Sequence, residues 1–144
     1  MSKYFIVCVA EDREWAVWIR DQLKALGNSA LIYEHPTENS ASYSWVERQL
    51  ESGGKIVSVL SNAYLSQAKG VDHLGDGVLR ACYKKPDAAL IVIVEPYEMS
   101  NWSEHFSQCE IFGIPESWAR KRLRDFIRSA ARPRELEISE NVLI

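Results

Sequence analysis

The feature that most constrains the fold is a set of five short, almost wholly apolar runs, each separated from the next by polar or helix-like sequence. They occupy residues 4–9, 30–33, 55–60, 88–94 and 109–112. Strands that are apolar at nearly every position are typical of a parallel sheet that is buried on both faces. Strands that alternate with helices therefore predict an α/β domain with helices on both faces of the sheet.

Helical patterns fill the segments between the runs. Trp15, Trp18, Ile19 and Leu23 fall on one face of a helix, and Gly27 is placed to end it. Further helices are predicted over residues 43–52 and 78–83. In a last helix after Pro115, the inward face is predicted to comprise Trp118, Ala119, Leu123, Phe126, Ile127 and Ala130.

The connections between parallel strands are right-handed crossovers, and this leaves few topologies for five strands. We predict an open, flavodoxin-like parallel sheet in the order 2-1-3-4-5, whose ligands bind beyond the carboxyl ends of the strands where the order reverses. Ala10 and Asp12 follow the first strand and Ser61 follows the third, so they are predicted to line this cleft. Tyr33 and His35 would flank it, with Tyr33 either stacking on a base or packing in the core.

The length and charge of the chain limit its possible functions. The chain has 144 residues and a net charge of −3, which suits one domain over residues 1–132, with 133–144 as a tail or the start of a linker. An acidic chain is a poor candidate for nucleic-acid binding. The longest apolar run, 88–94, is far too short to span a membrane, so no membrane partner is expected. The N-terminus is interpreted as a strand and not as a secretory signal.

Cysteine and histidine spacing gives two further expectations. Cys8, Cys82 and Cys109 are odd in number and widely spaced, which predicts free thiols and a cytoplasmic location. The three histidines are too far apart to predict a zinc site, so no metal is expected.

Several common catalytic motifs are absent. The chain has neither of the glycine-rich phosphate-binding loops nor a Gly-x-Ser-x-Gly nucleophile motif. A phosphoacceptor receiver domain would need an Asp at the end of the third strand, where this chain has Leu60 and Ser61.

Four segments resemble a known family. Residues 4–16 (YFIVCVAEDREWA) and 57–65 (VSVLSNAYL) are similar to the opening strand and the third strand of Toll/interleukin-1 receptor (TIR) domains, especially the bacterial ones. Residues 89–96 and 111–114 resemble the last two strands. The resemblance extends from Tyr4 to about Ile127.

The resemblance implies a cytoplasmic module that works by self-association. Many bacterial and plant members also cleave NAD⁺ and release nicotinamide, using one Glu after the third strand. A carboxylate suits that reaction because it stabilises an oxocarbenium-like ribose. Alignment without gaps places His73 at the Glu position, with Asp76 three residues further on. Asp76 is therefore the candidate catalytic carboxylate and His73 its candidate assistant. Alternatively, both are solvent-facing residues beside a glycine-rich turn.

Three functional hypotheses remain. The first is a self-associating TIR signalling module, the N-terminal part of a larger bacterial defence or signalling protein. Its loop over residues 34–42 and Trp102 would make head-to-tail TIR–TIR contacts. The second is an NAD⁺ glycohydrolase that uses Asp76, with NAD⁺ as substrate and no cofactor. The third is a sensor that binds an NAD⁺-derived nucleotide without cleaving it.

Overall fold

The computed structural model describes residues 2–34, 39–64, 82–96 and 106–130. Its five strands are β1 (Lys3–Cys8), β2 (Ser29–Glu34), β3 (Lys55–Leu60), β4 (Ala89–Ile93) and β5 (Ser107–Glu110). Its three longer helices are α1 (Arg13–Ala25), α2 (Asn39–Glu51) and α3 (Glu116–Ala130), and 3-10 turns span Ala10–Asp12 and Pro86–Ala88.

The strands form one sheet in the order β2-β1-β3-β4-β5, and every neighbouring pair is parallel. The predicted fold class and strand order are therefore confirmed. In register, Val7 lies between Tyr33 of β2 and Ser58 of β3, and Leu60 lies beside Ile93 of β4. The carboxyl ends of the strands consequently meet along one edge of the sheet.

The apolar runs supply two cores, one on each face of the sheet, because successive strand residues point to opposite faces. On one face, Tyr4 and Ile6 of β1 pack in a cluster with Ile19 and Leu23 of α1 and Leu123 of α3. On the other face, the cluster includes Phe5, Val7, Val46, Leu50 and Ile56. Each such side chain contributes about 1.5–3 kcal/mol to the stability of the fold when it is fully buried. Helices must therefore pack on both faces of the sheet to exclude water from these side chains.

The predicted end of α1 is confirmed. Gly27 has φ +86°, and its N–H donates to the carbonyl of Lys24 at 3.0 Å. The N–H of Asn28 donates to the carbonyl of Leu23 at 3.1 Å. These two hydrogen bonds satisfy the carbonyls of Leu23 and Lys24 at the end of the helix. The turn that forms them requires a residue at position 27 that tolerates positive φ.

Three sequence-based expectations need correction. The second helix was predicted over 43–52 after a loop at 34–42, but it spans Asn39–Glu51. Trp118 was predicted on the inward face of the last helix, but its side chain is 65% exposed. The buried positions of α3 are Ala119, Leu123 and Ile127, and Trp118 is turned about 100° from that face. The fifth strand was predicted at 109–112 and lies at Ser107–Glu110.

Other predictions concern parts of the chain outside the described residues. These are the domain boundary at 132, the tail at 133–144 and most of the helix at 78–83. All three cysteines are free, as predicted, and all three are buried. Within the described part of the chain, no helix combines the length and apolarity that crossing a membrane requires.

Candidate functional site

A cleft of about 810 Å³ opens at the carboxyl edge of the sheet, between the first turns of α1 and α3. The lining residues come from both helices and from the segments that follow β1, β3, β4 and β5. They are Glu11, Asp12, Glu14, Trp15, Trp18, Asn62, Ala63, Glu95, Ile111, Ile114, Glu116 and Ala119. Strand order reverses at β1 and β3, so the cleft adjoins the position where an open parallel sheet binds ligands.

Asp12 and Ser61 join the ends of β1 and β3 beside this cleft. Both side chains are buried, and the Ser61 hydroxyl donates a hydrogen bond to the Asp12 carboxylate. The Ser61 oxygen also accepts a hydrogen bond from the backbone N–H of Tyr64 at 3.1 Å. Ser61 therefore caps the helical turn at residues 62–64 while it holds Asp12 in place.

The surroundings of Asp12 disfavour its negative charge. Burial raises the pKa of the Asp12 carboxyl above its ordinary value, the hydrogen bond from Ser61 lowers it in part, and the negative charges of Glu95 and Glu11 raise it further. Asp12 is thus a buried carboxyl in a locally negative field.

Two other carboxylates of the cleft, those of Glu95 and Glu116, have partners among the described residues. Glu95 is half-buried and accepts a hydrogen bond from the backbone N–H of Asn62 at 3.1 Å. Glu116 forms an ion pair with Arg120 at 3.0 Å. Arg13, next to Asp12 in sequence, instead pairs with Glu34 at 2.9 Å. The cleft therefore keeps an excess of negative charge.

One wall of the cleft is aromatic. The rings of Trp15 and Trp18 meet edge to face, with centroids 5.9 Å apart. The Trp18 Nε1 atom is buried, and no described group accepts a hydrogen bond from it. The wall can therefore offer a ligand an aromatic surface.

Two other predicted site residues, Ala10 and Tyr33, are not among the residues that line the cleft. Ala10 lies in the 3-10 turn before Asp12 and is exposed. Tyr33 stacks on Trp45 with ring centroids 4.1 Å apart, and Trp45 also contacts Phe5 edge to face at 5.3 Å. His35, His73, Asp76 and Trp102 lie outside the described residues.

Three carboxylates of the cleft, those of Glu14, Glu95 and Glu116, were not predicted as site residues. Glu95 could have been, because it follows the fourth apolar run and so stands at a strand end. Glu14 and Glu116 lie in the first turns of two helices that are about 100 residues apart in sequence, and the packing of α1 beside α3 brings them to one cleft. Within the described residues, no group of three or more acidic, Cys or His side chains is arranged to hold a metal ion.

Comparisons with known proteins give a family and a fold. A family model described as a TIR domain matches residues 5–124. No curated protein matches the chain significantly. Among solved structures, a 3-dehydroquinate dehydratase-like protein from Bifidobacterium longum aligns with a TM-score of 0.51 and 13% identity, over 92% of this chain and 100% of its own. A protein described as a lipoprotein from Peptoclostridium difficile 630 aligns with a TM-score of 0.51 and 10% identity, over 88% and 92% respectively. At these identities the structural likeness concerns the fold alone.

Proposed function

Because this chain belongs to the TIR domain family, we propose that it is a signalling module that works by self-association. The family match over residues 5–124 carries this proposal. In the proposed setting, the chain is the N-terminal part of a larger bacterial defence or signalling protein. The free, buried thiols favour a reducing, cytoplasmic compartment for it.

Two exposed apolar side chains support a head-to-tail contact. Leu31 is 55% exposed on β2, which forms one edge of the sheet. Trp118 is 65% exposed on α3, the helix that follows the strand at the opposite edge. An interface between two different surfaces of the same chain does not close on itself after two copies, so it can extend into a filament.

Paired surface variants test this geometry. Leu31→Asp and Trp118→Asp each remove one of the two surfaces, and each variant alone is expected to be monomeric by light scattering. A mixture should form one-to-one heterodimers and nothing larger, because one intact Leu31 surface and one intact Trp118 surface remain. Glu51→Asp, at the exposed end of α2, is the control and should assemble like the unchanged chain.

Two results would overturn the head-to-tail proposal. The first is an unchanged chain that stays monomeric at high concentration and also within the longer signalling protein. The second is a mixture of the two variants that contains only monomers although the unchanged chain assembles.

NAD⁺ cleavage is the second candidate function, and the acidic cleft beside the strand-order reversal favours it. Cationic nicotinamide is a good leaving group, and nearby carboxylates stabilise an oxocarbenium-like ribose. In this proposal Asp76 is the catalytic carboxylate and His73 assists it.

Chromatographic detection of free nicotinamide tests whether the protein cleaves NAD⁺. The assembled protein is incubated with NAD⁺, and Asp76→Ala is expected to abolish turnover while Asp72→Ala leaves it intact. Absence of product under assembling conditions would contradict NAD⁺ cleavage. Saturable NAD⁺ binding without product would instead identify a nucleotide sensor.

A further inference from the structure

We propose that the outer face of α3 is a docking surface for an acidic segment of another protein, one that carries an apolar side chain among its carboxylates. The outer face consists of five exposed residues at helical spacing, which are Trp118, Lys121, Arg122, Asp125 and Arg128. Docking of such a segment needs only one copy of the chain, so it goes beyond self-association.

The charge of α3 is opposite to that of the rest of the chain. Five basic and two acidic residues give the helix a formal charge of +3, whereas the whole chain carries −3, so the other residues together carry −6. A positive surface attracts and orients an acidic partner, and clustered Arg side chains commonly recognise acidic motifs.

The ion pairs on the outer face do not cancel its positive charge. Asp125 is shared by two basic side chains, Lys121 at 3.5 Å and Arg128 at 3.8 Å. All three side chains are more than half exposed, and exposed pairs of this kind are weak, so the carboxylates of a partner can exchange with Asp125. Arg122 donates to the backbone carbonyl of Glu110 at 2.9 Å, which orients its guanidinium without neutralising its charge.

Trp118 supplies the apolar part of the outer face. It is 65% exposed, and together with Lys121, Arg122 and Asp125 it lines an open depression of about 380 Å³. Trp and Arg are enriched among the residues that dominate the binding energy of protein interfaces. An exposed indole ring beside basic side chains therefore fits an apolar anchor that is flanked by carboxylates.

Other occupants match only one part of the outer face. The Leu31 edge of a second copy matches the apolar part, but the acidic residue of β2 is Glu34, and Arg13 already pairs with it at 2.9 Å. Nucleic acid or an anionic membrane matches the basic part, but both extend well beyond one 15-residue helix and would meet the negative charge of the remaining chain. A short acidic protein segment matches both parts and avoids that repulsion.

Selection from a random peptide library tests the proposal on the full chain. Short random peptides displayed on phage are panned against the immobilised protein. The enriched peptides are expected to combine several Asp or Glu residues with an aromatic or aliphatic residue. The consensus peptide is then synthesised with a fluorescein label, and its binding to dilute protein is measured by fluorescence anisotropy.

Variants locate the peptide on α3. Trp118→Ala and Arg122→Gln should each weaken binding of the consensus peptide about tenfold or more, because the first removes the apolar anchor and the second a charged contact. Arg48→Gln removes the same charge at an exposed position of α2, so it is the matched control and should bind the peptide unchanged. A peptide with Gln and Asn in place of Glu and Asp should bind the unchanged chain at least about tenfold more weakly.

The proposal is wrong if no acidic peptide is enriched, if binding survives Trp118→Ala, or if Arg48→Gln causes an equal loss. Tighter binding of oligothymidylate, or of vesicles that contain phosphatidylserine, would also overturn it, because nucleic acid or membrane would then be the occupant. Anisotropy is measured where light scattering shows monomers, and NAD⁺ cleavage is followed separately by release of nicotinamide. Failure of either proposed function is therefore distinguishable from failure of peptide docking.

Discussion

The Ser61 hydroxyl donates a hydrogen bond to the Asp12 carboxylate, and this contact joins two segments that are 49 positions apart in sequence. Asp12 follows β1 and Ser61 follows β3, the two strands between which the strand order reverses. Ser61 also caps the turn at residues 62–64. One buried hydroxyl therefore holds both Asp12, which lines the cleft, and the chain that follows β3.

Replacing Ser61 by Ala should lower the free energy of unfolding by about 2 kcal/mol or more, because the cap is lost and Asp12 keeps no hydroxyl donor in its buried site. Urea unfolding followed by circular dichroism measures this loss. Ser52→Ala is the matched control, since the exposed Ser52 hydroxyl only donates to the carbonyl of Gln49 and should cost about 0.5 kcal/mol or less. Equal losses in the two variants would contradict the role given to Ser61.

The stability of Asp12→Asn relative to the unchanged chain should be greater at neutral pH than in acid. The pKa of the Asp12 carboxyl is raised in the folded protein, so folding takes up a proton between the unfolded pKa, about 3.9, and the higher folded pKa. The favourable contribution is present below the unfolded pKa and is lost as the pH rises through the folded pKa. Asn removes this titration but keeps an oxygen that can accept the hydrogen bond from Ser61.

Unfolding free energies measured from about pH 4 upward to pH 7 test this sign. The stability of Asp12→Asn relative to the unchanged chain should increase with pH. Asp21→Asn, which removes an exposed carboxylate on α1, is the control for the loss of one negative charge at the surface. A relative stability of Asp12→Asn that falls with pH would show that the ionised form is favoured in the folded protein.

The buried centre of the fold could be predicted from sequence, whereas the edge strand β5 was misplaced. Residues 55–60 coincide with β3 because that strand is covered on both faces and its pattern is almost wholly apolar. β5 was misplaced by two residues because, as an edge strand, it exposes Ser107 and Glu110 and lacks that pattern. Trp118 was misplaced because hydrophobic character alone does not give the angular position of a residue on a helix.

The site could be predicted only in part, for a related reason. Asp12 and Ser61 follow apolar runs directly, so the strand-end rule finds them without knowledge of tertiary contacts. Glu14 and Glu116 reach the cleft because α1 packs beside α3, and no local pattern carries that information. The catalytic assignments to Asp76 and His73 remain predictions.

The thiols of Cys8 and Cys109 should be inert in the folded protein. Burial raises the pKa of each to about 11, and both are buried in the core that α1 and α3 cover. The thiolate is the nucleophile, so we expect negligible alkylation of Cys8 and Cys109 by iodoacetamide at pH 8 in the native protein. In urea, all three cysteines should be alkylated completely. Intact mass spectrometry gives the number of modified thiols, and rapid native alkylation of either residue would contradict the prediction.

Gly54→Ala should destabilise the protein by about 1–3 kcal/mol, because the added methyl group has no room. A Cβ atom at Gly54 would lie 2.9 Å from Phe5 Cε2 and 3.0 Å from the carbonyl oxygen of Gln49. The Phe5 ring cannot simply move away, since it also packs edge to face against Trp45 at 5.3 Å.

A double-mutant cycle with Phe5→Leu, measured by urea unfolding, separates the effect of the Phe5 ring from that of the Gln49 carbonyl. Leucine is smaller than the ring, so the loss caused by Gly54→Ala should be smaller when Phe5→Leu is already present. Additive losses would show that the contact with the Gln49 carbonyl limits the space, because the backbone there is unaffected by Phe5→Leu. A Gly54→Ala variant as stable as the unchanged chain would contradict the close approach of β1 to the start of β3.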